Sequence, residues 1–270
     1  MMIIIGEKIN GSIPPVAKAI AEKDAKYIRR LAKKQSLAKA NFLDVCASVA
    51  PNVEYETLKW LINLVQEVTD TPISIDSPNA RVFPQLIPLC KKPGIINSVS
   101  MEGDKIEQVF PVIADTTWNC VALLCDDSGI PRTAEKRLEV FDAILNKAAA
   151  YHIAPDRLYI DPVVEMLASS EDGIEKIIAT IKKVKEICPD VHITSGASNI
   201  SFQLPLRKFI NRSFIILCMG AGMDSAIVDP LNTDMLGLIY AAEALLGRDE
   251  MCIEYITAFR EGLFGTPAGA

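Results

Sequence analysis

His192-Ile193-Thr194-Ser195-Gly196-Ala197-Ser198-Asn199-Ile200-Ser201 starts as a β-type run, opens into a turn of small residues and presents an amide side chain just ahead of a new helical pattern. Three other strand-like runs end on a carboxylate or an amide: Ile73-Ser74-Ile75-Asp76, Gly94-Ile95-Ile96-Asn97 and Leu158-Tyr159-Ile160-Asp161. In a barrel of parallel strands, polar residues at the C-terminal strand ends converge on one mouth, because packed side chains fill the interior below. Two carboxylates and two amides at such a mouth form an active-site layout.

The rest of the chain repeats the same unit. Strands are expected over residues 2–5, 42–46, 73–76, 95–97, 120–125, 158–161, 191–195 and 226–228. Helical patterns are expected over about 14–40, 58–68, 81–89, 104–115, 138–148, 174–187, 202–220 and 235–246. The clearest is the stripe Ile174, Ile177, Ile178, Ile181, Val184 and Ile187, with lysines and glutamates facing away. Eight strands alternating with eight helices give a (β/α)₈ TIM barrel, a single α/β domain over residues 1–262 with a loosely held tail over 263–270. The alternative is an open, doubly wound sheet, but Gly6-Glu7-Lys8-Ile9-Asn10 after the first strand is not the Gly-rich phosphate fingerprint of that fold.

A net charge of −6 argues against a nucleic-acid partner, and the pairs Lys33-Lys34, Lys91-Lys92 and Lys182-Lys183 read as solvated surface. Seven scattered cysteines, an odd number in mostly apolar settings, and no signal peptide favour a reducing cytoplasm. With no C-x-x-C and only His152 and His192, no protein-bound metal is expected. The longest apolar run, residues 214–223, is about half the ~20 residues that span a bilayer, so no membrane segment is expected.

Asp76, Asn97 and Asp161 are the candidate ligand-facing residues. Aspartate and asparagine together suit a flat heterocycle that offers several N–H donors and a carbonyl. A capping reading stands beside this one: Asp76 precedes Ser77-Pro78-Asn79, and Asp161 precedes Pro162. Glu7 and Asn10 follow the first strand, Asp44 lies within the second, and Asp126, Asp127 and Asp229 follow the fifth and eighth; any of them could line the same mouth unless alternation turns it away, turn and cap roles are preferred, and both histidines read as structural. Lys8 sits in a loop with no signature of a Schiff-base lysine.

Together these motifs resemble the pterin-binding barrel of the corrinoid-dependent folate methyltransferases. Gly196-Ala197-Ser198-Asn199-Ile200-Ser201-Phe202 is similar to the G-x-S-N-x-S-F loop in the folate domain of cobalamin-dependent methionine synthase. Gly6-Glu7-Lys8-Ile9-Asn10-Gly11 resembles the G-E-[KR]-I-N-G opening of the methyltetrahydrofolate:corrinoid/iron-sulfur protein methyltransferases. Ile75-Asp76-Ser77, Ile96-Asn97-Ser98, Tyr159-Ile160-Asp161-Pro162 and Ile210-Asn211-Arg212 match further blocks in the same order.

The resemblance implies hydrogen bonds from Asp76, Asn97 and Asp161 to the pterin ring, and contact of Asn199 with N5. It also places Gly196, Ser198, Arg207 and Gln203 near the ligand. The implied reaction moves a methyl group between N5 of tetrahydrofolate and the cobalt of a corrinoid. No corrinoid-binding D-x-H-x-x-G motif is present, so the corrinoid (cobalamin) is expected on a partner protein. A homodimer is implied as well. Flow from methylcorrinoid to folate, as in catabolic demethylation of betaines, methylated amines or aryl ethers, is preferred over the acetogenic direction.

Two departures separate this chain from the acetogenic enzymes. Cys46 stands where they carry an asparagine, and Gln203 lies one residue beyond their glutamine. Dihydropteroate synthase shares the barrel but shows an N-x-T-P-D-S-F loop and an S-R-K loop, where this chain has Ile9-Asn10-Gly11-Ser12 and Ala197-Ser198-Asn199-Ile200. A non-catalytic pterin-binding subunit is the alternative from another class.

Overall fold

A computed structural model describes residues 1–266. Eight strands, β1 (Ile3–Asn10), β2 (Phe42–Cys46), β3 (Ile73–Asp76), β4 (Ile95–Met101), β5 (Asn119–Asp126), β6 (Leu158–Asp161), β7 (His192–Ile193) and β8 (Ser225–Val228), lie in the order β7-β6-β5-β4-β3-β2-β1-β8, every pairing parallel. The ring closes irregularly. β7 is shorter than expected, and the seam is carried past it by a parallel bridge between Gly196 and Ile227, with Ile227 N–H donating to Ser195 (3.0 Å) and Ala197 N–H to Ile227 (3.1 Å).

Alternation along the strands divides their side chains between two cores. Val45, Ile75, Ile96, Ile160 and Ile193 pack outward into the large core shared with the helices. Ile5, Ile95, Val121 and Tyr159 form a separate buried cluster that plugs the lumen. Residues two positions further along the same faces are Glu7, Asn97, Leu123 and Asp161, so the lumen turns polar directly above its apolar plug.

β1 carries a bulge that breaks its register with β2 between Gly6 and Ile9. The Lys8 N–H is taken by the fully buried Gln35 from the helix behind, at 3.1 Å. Its Oε1 stands 2.6 Å from where a Cβ on residue 6 would lie, which is why glycine occupies that position.

The helices differ from expectation where capping and proline intervene. The helical stretch after β1 is two helices, α1 (Pro14–Ala21) and α2 (Ala25–Leu37), separated at Lys23 (φ +54°) and restarted by Asp24, whose carboxylate caps Tyr27 N–H. After α3 (Pro51–Gln66), Pro84 and Pro88 restrict the next element to one α-turn, α4 (Phe83–Leu86), between 3₁₀ turns. α5 (Lys105–Ile113), α6 (Ala134–Ala150) and α7 (Glu175–Ile187) follow. In α7, Ile177, Ile181 and Val184 are buried as the stripe requires, while Ile187 is half exposed. The helix expected from residue 202 begins later, as α8 (Arg207–Ala221), because Gln203 and Leu206 adopt positive φ on either side of Pro205. α9 (Thr233–Leu245) is capped by Asn232.

An additional helix, α10 (Ile253–Arg260), follows the barrel. Phe264, placed by sequence in the loose tail, is instead buried against Tyr240, Tyr255 and Phe259, so the packed structure extends past residue 262. The remainder of the tail, residues 267–270, lies outside the described residues. All seven cysteines are free, and no helix among the described residues is long and apolar enough to cross a membrane.

Candidate active site

The C-terminal strand ends bring Asp76 and Asn97 into direct register on β3 and β4, beside Cys46, the register partner of Asp76 on β2. Asp161 ends β6 opposite Leu123. Asp76 does not cap the following turn; Asn79 does, accepting from Arg81 N–H at 3.2 Å, so the carboxylate of Asp76 is left to the lumen. Asp161 fits both readings in part. Its Oδ1 accepts from Val163 N–H at 2.8 Å, yet it is buried at the lumen face, and that burial pushes its carboxyl up to about 7.

Two carboxylates whose preferred reading from sequence is a turn or cap, with the mouth as the alternative, face this lumen. Asp44, 2% exposed, lies between strand neighbours: Ser74 Oγ donates to its Oδ1 at 2.7 Å and Asn97 Nδ2 donates to the same oxygen at 3.2 Å. Glu7, at the β1 bulge, is pushed up to about 7 by burial and then by the charge of Asp229. Parity was the available signal. Asp44 follows Phe42 by two and pairs with Ser74, two before Asp76. The turn reading does hold for Asp126, whose carboxylate accepts from Ser128 N–H at 2.8 Å, and for Asn10, which accepts from Ser12 N–H at 2.8 Å. Asp229 combines a turn bond to Leu231 N–H (2.9 Å) with an ion pair to Lys8 (3.1 Å), which ties up the Lys8 ammonium. His192 is structural: it stacks on Tyr159 with centroids 4.6 Å apart and bonds Asp224 at 3.1 Å.

The opening loop forms the other wall. The exposed Asn199 amide lies over Gly196, its Nδ2 3.5 Å from where a Cβ there would stand. Ser198 Oγ reaches across to Glu7 Oε1 at 3.4 Å. Arg207, at the start of α8, donates from Nη2 to the Ser198 carbonyl at 2.6 Å and from Nε to Ser201 Oγ at 2.9 Å. It therefore acts on the loop from outside. Gln203 is exposed, with φ +64°, and takes no part in this network. Arg212, from the Ile210-Asn211-Arg212 block, bonds Asp234 at 2.6 Å and ties α8 to α9. Behind the loop, Glu7, Ser198, Arg207, Asn211, Asp229 and Asn232 line a cavity of about 240 Å³.

Cys46 fills the position of the expected asparagine. Its thiol lies 3.3 Å from Ser48 Oγ and against Asp76, and burial followed by the Asp76 charge raises it far above the ordinary thiol range. It is a neutral wall residue, not a nucleophile.

Carboxyl groups and amides set on parallel strand ends are the polar groups that a small heterocycle with N–H donors requires. Residues 16–229 match the pterin binding enzyme family, and the chain belongs to it. It is 49% identical over 266 residues, covering 98% of each chain, to the methylcorrinoid:tetrahydrofolate methyltransferase of Eubacterium limosum. It is 32% identical over 241 residues to the methionine synthase of Mycobacterium leprae (strain TN), covering 84% of this chain and 20% of that protein. Among solved structures, the dihydropteroate synthase of Xanthomonas albilineans in complex with 7,8-dihydropteroate superposes with a TM-score of 0.63 at 16% identity, covering 90% of this chain and 91% of that one. At that identity the likeness concerns the fold.

Proposed function

We propose that this enzyme is a methyltransferase that moves a methyl group from the cobalt of a methylcorrinoid to N5 of tetrahydrofolate. The observation that carries this reading is the 49% identity, end to end, with a methylcorrinoid:tetrahydrofolate methyltransferase. The strand-end residues fit the chemistry. Asp76 and Asp161 offer carboxyl groups to the N–H edge of a pterin, and Asn97, whose Nδ2 is committed to Asp44, offers its carbonyl oxygen.

The corrinoid is a substrate, carried here by a separate protein, and it supplies the electrophilic methyl group. The N5 lone pair forms the new N–CH₃ bond while the electron pair of the breaking Co–CH₃ bond stays on cobalt. The proton of N5 must then leave. Asn199 can accept from N5–H through its carbonyl, and in the reverse direction donate to N5 through its amide. Glu7, one bond from Ser198 and titrating near neutrality, is placed to hold a proton beside the loop.

The test is spectrophotometric. Purified enzyme, tetrahydrofolate and methylcobalamin, or a methylated corrinoid protein, should give loss of the methyl-Co(III) spectrum with stoichiometric methyltetrahydrofolate. A dihydropteroate synthase would instead condense a pterin diphosphate with p-aminobenzoate, and a pterin-binding subunit would bind folate without turnover. Either result overturns the proposal. We further assign the enzyme to the cytoplasm, from its odd number of free cysteines, and, by resemblance, to a homodimer; light scattering at the mass of one chain contradicts the dimer.

A further inference from the structure

The lumen holds more carboxyl groups than can be ionised together. Asp44 is flanked by Asp76 on β3 and Glu7 on β1, Glu54 from α3 adds a further negative charge near Asp76, and no lysine or arginine among the described residues bonds Asp44. Asp44 and Asp76 stand two residues apart in register on the neighbouring strands β2 and β3, and the charge of Asp76 bears on Asp44. Two neighbouring carboxylates repel strongly in a medium of low dielectric, so the pair keeps a proton. Its position follows from geometry. Ser74 and Asn97 both donate to Oδ1 of Asp44, which suits a carbonyl oxygen, and this leaves Oδ2 to carry the proton. Asp44 is also the deeper of the two, 2% exposed, whereas Asp76 is only partly buried and also receives the thiol of Cys46.

We propose that Asp44 is the protonated member of this pair at neutral pH, and that it is a positioning residue whose carboxylic O–H donates to Asp76. One neutral acid then orients both ligand-facing neighbours. Its O–H fixes the Asp76 carboxylate, and its Oδ1, by holding Asn97 Nδ2, turns the Asn97 carbonyl oxygen outward. Burial and the charge of Asp76 both raise Asp44 well above the ordinary aspartate range, in agreement. The effect on ligand binding rests on the folate reading above; the protonation does not.

Asp44→Asn tests this directly, because an amide copies a carboxylic acid at this position: Oδ1 still accepts and Nδ2 still donates. It should keep tetrahydrofolate affinity within about threefold of wild type, while Asp44→Ala, which removes the donor to Asp76, should lose about tenfold or more. Without any folate, the infrared spectrum of the wild type at pH 7 should contain a protonated-carboxyl stretch that Asp44→Asn removes. A raised carboxyl also makes the native state less stable as pH climbs above the ordinary aspartate value, so the melting temperature of Asp44→Asn should gain on wild type as pH rises. An unchanged infrared band, or a melting-temperature difference that does not grow with pH, overturns the assignment. Affinity lost in Asp44→Asn as heavily as in Asp76→Asn overturns the positioning role. If wild type binds no folate, the infrared and melting results still decide the proton, and only the folate reading fails.

Discussion

Arg207 Nη2 donates to the main-chain carbonyl of Ser198 at 2.6 Å, so a side chain nine residues downstream holds the peptide that leads into Asn199. The same guanidinium reaches Ser201 Oγ, and its carbon lies 5.8 Å from the ring centroid of Phe202. The loop is thus clamped from the start of α8.

Releasing that clamp should misplace Asn199 without emptying the pterin pocket. Arg207→Met should lower the rate of methyl transfer by about 10- to 100-fold, the usual consequence of a small misplacement at a reacting centre. The KM for tetrahydrofolate should change much less. Steady-state kinetics check this, and a larger effect on KM than on kcat would place Arg207 on the ligand itself.

Asp76→Asn removes the anion that the lumen presents beside Asn97 and Cys46. Loss of a charge-assisted hydrogen bond costs about 1.5–3 kcal/mol, so tetrahydrofolate affinity by calorimetry should fall by roughly 10- to 100-fold. The circular dichroism spectrum should not change. Unchanged affinity would mean that the pterin sits elsewhere.

Asp161 gives a pH dependence whose sign is fixed. Its carboxyl titrates at the ordinary 3.8 when unfolded and at about 7 in the folded chain. Between those values the native state holds a proton that the unfolded chain has lost. Stability therefore falls as pH rises through this window, at roughly 1.4 kcal/mol per unit at most, and the full cost is present above it. Asp161→Asn should remove this contribution and leave those of Glu7 and Asp44, so the slope of calorimetric melting from pH 4 to 8 should be shallower than in the wild type. Binding through the ionised carboxylate should in turn strengthen as pH rises toward and past 7 in the wild type, and this limb should be absent in the variant.

The barrel was legible because four apolar runs end on Asp76, Asn97, Asp161 and the Asn199 loop, and parallel strands offer one place for such ends to meet. Asp44 and Glu7 were legible as lumen residues only through strand parity, which the preferred turn and cap reading set aside. Whether a strand residue faces inward depends on register, and β1 breaks its register with β2 between Gly6 and Ile9 through a contact with Gln35, 27 residues from Lys8. The roles of Arg207 and Gln203 likewise depend on backbone. Positive φ at Gln203 and Leu206 delays α8, which turns the first toward the loop and leaves the second in solvent. Phe264 was misread because its partners, Tyr240, Tyr255 and Phe259, come together only when α10 folds back on α9.

The most direct test is single-turnover methyl transfer by Asn199→Ala, with tetrahydrofolate affinity measured in parallel. Asn199 lies exposed at the mouth, apart from the partly buried Asp76 and the buried Asn97 and Asp161, and under the proposed function its hydrogen bond would serve the charge that develops at N5 more than ring binding. The rate should fall by roughly 10²- to 10³-fold, the cost of one preorganised polar partner, while affinity changes by less than about threefold. Full rate at saturating folate, or equal losses in rate and affinity, would contradict the account.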